Sequence, residues 1–147
     1  MADPFFDALP VYAELERRCF SDPWTEQQLL EGYRTGYYVF TSVKAEDQTV
    51  GYAAGTICGD QGEIQRICVL PEFRHRGLAK RLLSELDRAL RLAGCGELFL
   101  EVRRGNIPAI SLYESYGFEQ AGERKKYYRD EDALILRLAS GTAPRRV

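Results

Sequence analysis

The chain contains few of the residues that build metal and redox sites. It has a single histidine among 147 residues, and its four cysteines form no C-x-x-C pair. One histidine and scattered cysteines exclude a zinc-finger pattern, and we predict no metal site. The cysteines are Cys19, Cys58, Cys68 and Cys95. Cys58 and Cys68 fall inside predicted strands, where cysteine usually serves as a small buried hydrophobe, although a redox-sensitive or acyl-carrying role stays open.

Long apolar runs and a strong net charge are also missing. No stretch approaches the ~20 apolar residues that a membrane span needs. Residues 1–4 (MADP) lack the charged and apolar regions of a signal peptide. The net charge of −2 provides no global attraction to nucleic acid or to a membrane surface. We therefore expect a cytoplasmic protein with no membrane partner and no direct nucleic-acid binding.

Two frequent phosphate-binding signatures are absent as well. The chain has no G-x-x-x-x-G-K-S/T loop, which argues against a P-loop for nucleoside triphosphates, and no G-x-G-x-x-G follows a strand. What remains is an ordinary globular composition, with 45% hydrophobic and 29% charged residues, in a length that suits one core. We predict one domain over residues 1–139 and a disordered tail over 140–147.

The order of the predicted elements favours a mixed sheet. Helices are expected from Pro10 to Cys19, from a Thr25–Gln28 capping box to about Arg34, from Leu78 to Ala93, and from Pro108 to Tyr116. Strands are expected over residues 37–43, 49–58, 64–70, 97–103, 118–125 and 133–138. The strand–helix–strand passage through residues 64–103 requires one parallel pair among antiparallel strands. Such a sheet can splay where strands change partners, and the free edge amides can pair with an extended ligand.

The most informative stretch is residues 74–79 (RHRGLA), which joins a predicted strand to the leucine-rich helix. A glycine and a small residue at such a turn leave backbone N–H groups uncovered at a helix N-terminus. These donors and the helix dipole favour negative charge, and Arg74 and Arg76 raise the potential further. The turn therefore predicts a pyrophosphate site. Simple turn geometry with solvated arginines would also explain these residues, so the residues alone leave both interpretations open.

Four segments carry a family resemblance. Arg74-x-x-Gly77-x-Ala79 fits the signature Q/R-x-x-G-x-G/A, and residues 19–25 (CFSDPWT) fit a proline-tryptophan-serine/threonine element. Residues 100–118 (LEVRRGNIPAISLYESYGF) follow L-E-V-R-x-x-N-x-x-A…L-Y-E-x-x-G-F, and residues 126–133 fit a Y-Y…E-D-A segment. Together they resemble the GNAT superfamily of N-acetyltransferases, and within it the bacterial ribosomal-protein-alanine N-acetyltransferases (RimI).

The resemblance implies a three-layer α+β fold, with helices on both faces of a mostly antiparallel sheet that has a V-shaped splay. It also implies acetyl-CoA as co-substrate. Main-chain groups of Ile67, Cys68 and Val69 would pair with the pantetheine arm, and a backbone N–H would hold the thioester carbonyl. Asn106 would contact the co-substrate besides capping a helix. The pyrophosphate would lie against Arg74, His75, Arg76, Gly77, Leu78, Ala79 and Lys80.

The same resemblance implies two catalytic residues. Glu101 would be the general base, acting through a water, and Tyr113 would be the acid that protonates the CoA thiolate. From the residues alone, Glu101 could instead form a salt bridge with Arg103 or another basic side chain. Tyr113, on a short amphipathic helix, could equally belong to the core. For His75 we predict main-chain contact with the co-substrate and no acid–base role, because two arginines flank it.

The expected reaction is acetylation of the N-terminal amine of a protein, with alanine first and a small-subunit ribosomal protein as partner. An α-amine is easier to deprotonate at pH 7 than a lysine amine. Tyr127 and Tyr128, with Tyr33 or Tyr37, could wall a slot for a small first residue, and Trp24 either borders the peptide or packs at a helix start. The alternatives are acetylation of a lysine or a small-molecule amine, and a non-catalytic acyl-CoA-binding module.

Overall fold

Along the described chain the helices and strands follow the order α-α-β-β-β-α-β-α-β-β. The computed structural model describes residues 4–128 and 131–139, with the backbone alone for 126–128; the predicted tail, 140–147, lies outside these ranges. The helices are α1 (Pro4–Cys19), α2 (Glu26–Arg34), α3 (Leu78–Leu92) and α4 (Ile107–Tyr116), with a 3-10 turn at Pro71–Phe73. The strands are β1 (Tyr38–Ala45), β2 (Gln48–Cys58), β3 (Gln61–Val69), β4 (Glu97–Arg103), β5 (Glu119–Tyr128) and β6 (Glu131–Leu138). None of the described helices has the length and apolarity that crossing a membrane requires.

The first helix begins at Pro4 rather than at Pro10, so the predicted start was wrong. A proline inside a helix lacks the N–H that bonds to the preceding turn, which makes Pro10 resemble a helix start in the sequence. Burial of Phe5 in the first turn offsets the missing bond. The Phe5 ring stacks on Tyr33 of α2 with a centroid separation of 4.0 Å and an interplanar angle of 4°. Tertiary contact therefore extends the helix past a residue that disfavours it.

Two helix starts predicted from capping residues are confirmed. Thr25 Oγ1 accepts the Gln28 N–H at 3.1 Å, and the Gln28 side chain accepts the Thr25 N–H at 2.8 Å, which completes a capping box. At α4, Asn106 Oδ1 accepts the Ala109 N–H at 3.3 Å. Gly117 follows the last residue of α4 with a φ of +126°. Local polar chemistry thus sets the start of both helices, and a glycine ends the second.

The sheet has the strand order β1-β2-β3-β4-β6-β5 and is antiparallel except between β3 and β4. Within the described chain, β3 and β4 pair only from Gln61↔Glu97 to Ile64↔Leu100. Beyond that level β3 continues to pair with β2, and β4 continues to pair with β6. A register shift in the β2–β3 pairing falls at the same level. The predicted splay is confirmed, and it opens a gap between β3 and β4.

Helices cover both faces of the sheet, as predicted. α3 lies against β1, β2 and β3. Its fully buried residues are Leu82, Leu83, Leu86 and Leu90. Gly51 of β2 permits this approach, because a Cβ there would lie 3.1 Å from Leu82 Cδ1 of α3 and 2.6 Å from the Cys68 carbonyl oxygen of β3. The next residue, Tyr52, points to the other face and bonds to Glu16 of α1. α1 therefore covers the face opposite α3, and α2 packs beside it.

Candidate active site

The predicted anion turn lies between the 3-10 turn and the start of α3. Two of its residues have a left-handed backbone, His75 with φ +65° and Gly77 with φ +77°. Gly77 is the N-cap of α3, and it has no side chain that could accept a hydrogen bond from the N–H groups of the first turn. A Cβ at Gly77 would meet nothing within 4 Å. The turn is therefore both uncapped and open, as an anion site requires.

Basic side chains surround this turn. Arg74 donates through Nε to the Val69 carbonyl at 3.0 Å, and Arg76 lies over the Phe73 ring, 4.9 Å from its centroid. Lys80, in the first turn of α3, has a buried Nζ with no hydrogen-bond partner among the described residues. A buried ammonium without a partner is unfavourable, and an anionic ligand at the turn would offset it. The donors and charges present here fit a pyrophosphate group.

The β3 segment Ile67–Cys68–Val69 borders the gap beside this turn. The segment pairs with β2, and within the described chain its other edge has no partner on β4. Cys68 and Val69 are buried, whereas Ile67 is half-buried. Main-chain groups on an unpaired edge are available to an extended ligand that lies along the strand. The segment therefore fits the pairing with a pantetheine arm that the resemblance implies.

Glu101 lies in the wall of a pocket of about 260 Å³ on the face opposite α3. Its neighbours on β4, Leu100 and Val102, are buried toward the other side, as the predicted alternation requires. The Glu101 side chain is 18% exposed, and its Oε1 lies 2.8 Å from Arg124 Nη2. The residues alone left open whether Glu101 forms a salt bridge. It does, and the partner of Glu101 is Arg124 of β5. Arg103 instead lies 3.4 Å from Glu131.

Glu63 of β3 is a second carboxylate in this pocket, which the sequence analysis missed. The parallel register sets Glu63 beside Phe99, so its side chain emerges on the same face as Glu101. Burial raises the pKa of Glu63, and the charge of Glu101 raises this pKa further. Two carboxylates and one guanidinium leave a surplus of negative charge, which attracts an ammonium group. No group of three or more His, Cys, Asp or Glu within residues 4–128 and 131–139 could hold a metal ion.

Tyr113, the predicted acid, is buried in α4 with 6% of its surface exposed. Its ring meets Phe118 edge-to-face, with the centroids 5.9 Å apart. Tyr113 therefore packs in the core, which is the alternative that the residues alone left open for it. Asn106, the predicted co-substrate contact, is the N-cap of the same helix. The catalytic role of Tyr113 and the contact made by Asn106 stay predictions.

The predicted substrate-site residues pack in different places. Trp24 lies at the start of α2 and meets Tyr38 of β1 edge-to-face, with the ring centroids 6.3 Å apart. Tyr33 stacks on Phe5 in the aromatic layer between α1 and α2. The structure thus gives both residues packing roles. Trp24 also contacts Arg66 of β3. The two remaining predictions concern side chains outside the described residues, Tyr127 and Tyr128.

A buried polar network, which the sequence analysis also missed, joins α1 to β2 and β3. Glu16 is fully buried and accepts hydrogen bonds from the Tyr52 hydroxyl and from the Trp24 N–H, the latter at 2.8 Å. Arg66 Nη2 lies 3.2 Å from Glu16 Oε1. Burial and the bond to Glu16 raise the pKa of Tyr52. The Arg66 guanidinium lies over the rings of Phe20 and Trp24, 4.3 and 4.5 Å from their centroids, which holds the α1–α2 loop against β3.

Only weak signals in the sequence pointed to the missed residues. Glu16 follows Tyr12 by four positions, which places an acid on the buried stripe of α1. Side chains alternate along a strand, so the sequence can assign Glu63 and Glu101 each to one face of its own strand. Whether the two lie close together depends on the parallel register of β3 and β4. Arg124 is brought to Glu101 through β6, which lies between β4 and β5. No spacing along the chain encodes these contacts.

Known proteins resemble this chain in sequence and in fold. The model of the acetyltransferase (GNAT) family matches residues 9–118. The chain is 36% identical over 134 residues to the ribosomal protein bS18-alanine N-acetyltransferase of Salmonella typhimurium, which covers 88% of this chain and 90% of the relative. It is 35% identical over 137 residues to the N-alpha-acetyltransferase RimI of Mycobacterium tuberculosis, with 88% and 85% covered.

A solved structure has a similar fold. The crystal structure of the ribosomal-protein-S18-alanine N-acetyltransferase from Escherichia coli matches with a TM-score of 0.82 and 31% sequence identity, covering 96% of this chain and 93% of that chain. The resemblance stated from the sequence motifs is therefore confirmed. Since the family model spans most of the chain and the relatives match almost all of it, the chain belongs to the acetyltransferase (GNAT) family and is an acetyl-CoA-dependent N-acetyltransferase.

Proposed function

We propose that the protein transfers the acetyl group of acetyl-CoA to the N-terminal α-amine of a protein, with alanine as the preferred first residue. The proposed partner is a small-subunit ribosomal protein, which also places the enzyme in the cytoplasm. The observation that carries the proposal is the gap between β3 and β4, which lies between an open anion turn and a pocket with two carboxylates. The names of the Salmonella typhimurium and Escherichia coli relatives support the substrate.

The acetyl-CoA side of the gap would rely on main-chain groups. The pyrophosphate would lie on the main chain of residues 75–80, with Arg74, Arg76 and Lys80 supplying positive charge. The pantetheine arm would pair with the β3 segment 67–69, and Asn106 would contact it from α4. A main-chain N–H of that segment would hold the thioester oxygen and stabilise the negative charge that develops there.

The pocket side would perform the proton transfers. Glu101 takes a proton from the substrate ammonium through a water and leaves a neutral amine. The amine nitrogen attacks the thioester carbon, so that a C–N bond forms and the C–S bond breaks. Tyr113 donates its proton to the departing thiolate, and the proton that the nitrogen then loses restores Tyr113. The products are an acetylated N-terminus and coenzyme A with a free thiol.

The pKa of the substrate amine favours an N-terminus over a lysine. A free α-amine has a pKa of ~7.7–8.0 and a lysine amine one of ~10.4, so deprotonating the lysine at pH 7 costs about 3.4 kcal/mol more. A carboxylate that acts through a water supplies a neutral α-amine much more readily. The surplus negative charge of the pocket also favours the approach of an ammonium group.

The test is thiol release from acetyl-CoA with a panel of peptides. The panel contains peptides that begin with Ala, Ser or Met, each with a free and with a blocked N-terminus, and all with an internal lysine. We expect turnover on the free Ala peptide, less on the others, and none after blocking. The Glu101→Gln variant, tested on the same panel, separates enzymatic transfer from spontaneous acetylation.

Two results would contradict the proposal. Turnover that survives blocking, with label on the lysine, would assign the enzyme to lysine acetylation. Tight binding of acetyl-CoA without turnover on any peptide would indicate a small-molecule amine as acceptor.

A further inference from the structure

Arg124 reaches Glu101 across an intervening strand. β6 lies between β4 and β5, so the two residues belong to strands that are about 10 Å apart, which is two strand spacings. The residue of β6 opposite Arg124 is Ala133, which is fully buried and has a small side chain. The arginine side chain extends over this strand and brings Nη2 to 2.8 Å from Glu101 Oε1. Strand order and a small residue on β6 together permit this contact.

The pocket holds three charged side chains, and the charged groups around it pair with one another. Glu63 of β3, Glu101 of β4 and Arg124 of β5 line the pocket, together with the exposed Cys58 of β2. The surrounding pairs, within the described residues, are Arg103–Glu131, Glu97–Arg137, Arg104–Glu123, Lys125–Glu123 and Lys125–Asp132. The positive charge that faces the two carboxylates of the pocket is therefore that of Arg124.

Two carboxylates in one pocket disfavour each other's ionised form. Burial raises the pKa of Glu63, the charge of Glu101 raises this pKa further, and the charge of Arg124 opposes the rise. Without the guanidinium, the pocket would combine two negative charges with no cation, and the pair would take up a proton at a higher pH. A protonated carboxyl group cannot accept the proton of a substrate amine. Arg124 therefore favours the state of the pocket in which both carboxylates are ionised.

We propose that Arg124 is a positioning residue for acetyl transfer: its guanidinium fixes the Glu101 carboxylate in the pocket wall and keeps it ionised beside Glu63. The inference rests on the role of Glu101 in the proposed function. Arg124 itself takes no proton and contacts no reacting atom in this role, because it acts through Glu101. A guanidinium suits the task, since it stays protonated at every pH at which an enzyme works. Its loss should change the pH dependence of turnover rather than the binding of acetyl-CoA.

The test compares Arg124→Gln, which removes the charge, with Arg124→Lys, which keeps it. The measurement is kcat for a free Ala peptide at saturating concentration as a function of pH, so that the substrate amine contributes equally in every variant. In Arg124→Gln the acid limb should move up by about one pH unit, the lower end of the range for a charge pair, because the side chain is 53% exposed. On that limb kcat then falls about tenfold. Arg124→Lys should keep the original acid limb.

Arg137→Gln is the matched control. Arg137 also pairs with a glutamate of β4, Glu97, and its side chain is exposed to a similar degree, but neither residue lines the pocket. We expect the pH profile of Arg137→Gln to coincide with that of the unsubstituted protein. Denaturant unfolding should give similar midpoints for Arg124→Gln and Arg137→Gln, because each variant loses one partly exposed ion pair. A shifted pH profile in Arg124→Gln alone is then not an effect of stability.

A second measurement tests the same charge without using activity. Carbon NMR of the glutamate side-chain carboxyl groups follows the protonation of Glu63, whose resonance is identified by its loss in Glu63→Gln. The titration midpoint of Glu63 should move to higher pH in Arg124→Gln, because Arg124 opposes the rise in the pKa of Glu63. The midpoint should not move in Arg137→Gln. An unchanged Glu63 midpoint in Arg124→Gln would overturn the inference.

The outcomes separate this inference from the proposed function. An acid limb in Arg124→Gln that coincides with that of the unsubstituted protein would overturn the inference, and so would an equal loss of kcat at every pH in the Gln and Lys variants. Failure of the proposed function appears in the unsubstituted protein, as turnover that survives blocking or as no turnover on any peptide. The pH profile is then recorded with the acceptor that is turned over, and the Glu63 titration decides on Arg124 in either case.

Discussion

The two sides of the gap between β3 and β4 are built from different groups. The proposed acetyl-CoA side consists mainly of backbone from one continuous stretch, residues 74–80, opened by the left-handed backbone at Gly77. The pocket side consists of side chains from three strands, Glu63, Glu101 and Arg124. A backbone site depends on φ and tolerates changes of side chain, whereas a side-chain site depends on individual residues. Substitutions on the two sides should therefore have different signatures.

Glu101→Gln tests the pocket side and should have the largest effect. Glutamine has nearly the same shape but cannot accept the amine proton, so we expect kcat/KM for a free Ala peptide to fall by about 10²–10⁴. The Kd for acetyl-CoA should change little. Glu97→Gln is the matched control, because Glu97 lies on the same strand and face in a surface pair with Arg137, at 2.7 Å. Equal kcat/KM in the two variants would refute the role of Glu101.

Glu16→Ala tests whether the loop beside the gap depends on a buried charge. Removal of Glu16 leaves the Tyr52 hydroxyl without its acceptor and Arg66 without its carboxylate partner, so we expect the free energy of unfolding to fall by about 3–5 kcal/mol. Denaturant unfolding measures this loss. Glu14→Ala, on the same helix, removes an exposed pair with Arg17 and should change stability little. Similar losses in the two variants would show that the network does not stabilise the fold.

Gly77→Ala tests the backbone side of the gap. A Cβ in a left-handed conformation costs about 1–2 kcal/mol, and relief of this strain would move the N–H groups at the start of α3. We expect weaker acetyl-CoA binding, by about tenfold if one hydrogen bond is lost. Gly36→Ala is the matched control, since Gly36 has the same φ of +77° and nothing within 4 Å of an added Cβ. It should destabilise the fold similarly but leave the Kd unchanged, and equal Kd values in both variants would argue against the anion turn.

The smallest effect concerns the reactivity of Cys19. Because its pKa is lowered to about 7, the thiolate fraction should rise as pH increases through 7 and level off above it. The rate of iodoacetamide alkylation at Cys19, followed by mass spectrometry from pH 5 to pH 9, should have its midpoint near 7. In urea the midpoint should move to the ordinary thiol value of ~8.5. A midpoint that is the same in the folded and unfolded chain would contradict the lowered pKa of this thiol.

The features predicted correctly are those encoded by neighbours in the sequence. The Thr25–Gln28 capping box and the cap of α4 by Asn106 involve contacts over three residues. The alternation of buried and outward residues on β4 follows from strand geometry alone. The start of α1 was missed for the opposite reason: Pro10 is a local signal against a helix, and the stacking of Phe5 on Tyr33 overrides it.

By itself, the sequence determined the element order, the parallel β3–β4 pair and the uncapped turn at Gly77, because each follows from local backbone preferences or from connectivity. Only the tertiary structure decided that Arg124 meets Glu101, that Glu63 shares their pocket, and that Cys19 contacts the Val69 carbonyl of β3. These contacts join residues that are distant along the chain, and they depend on strand register and on how α1 packs against β3. A one-residue change of register would turn each of these strand side chains to the opposite face.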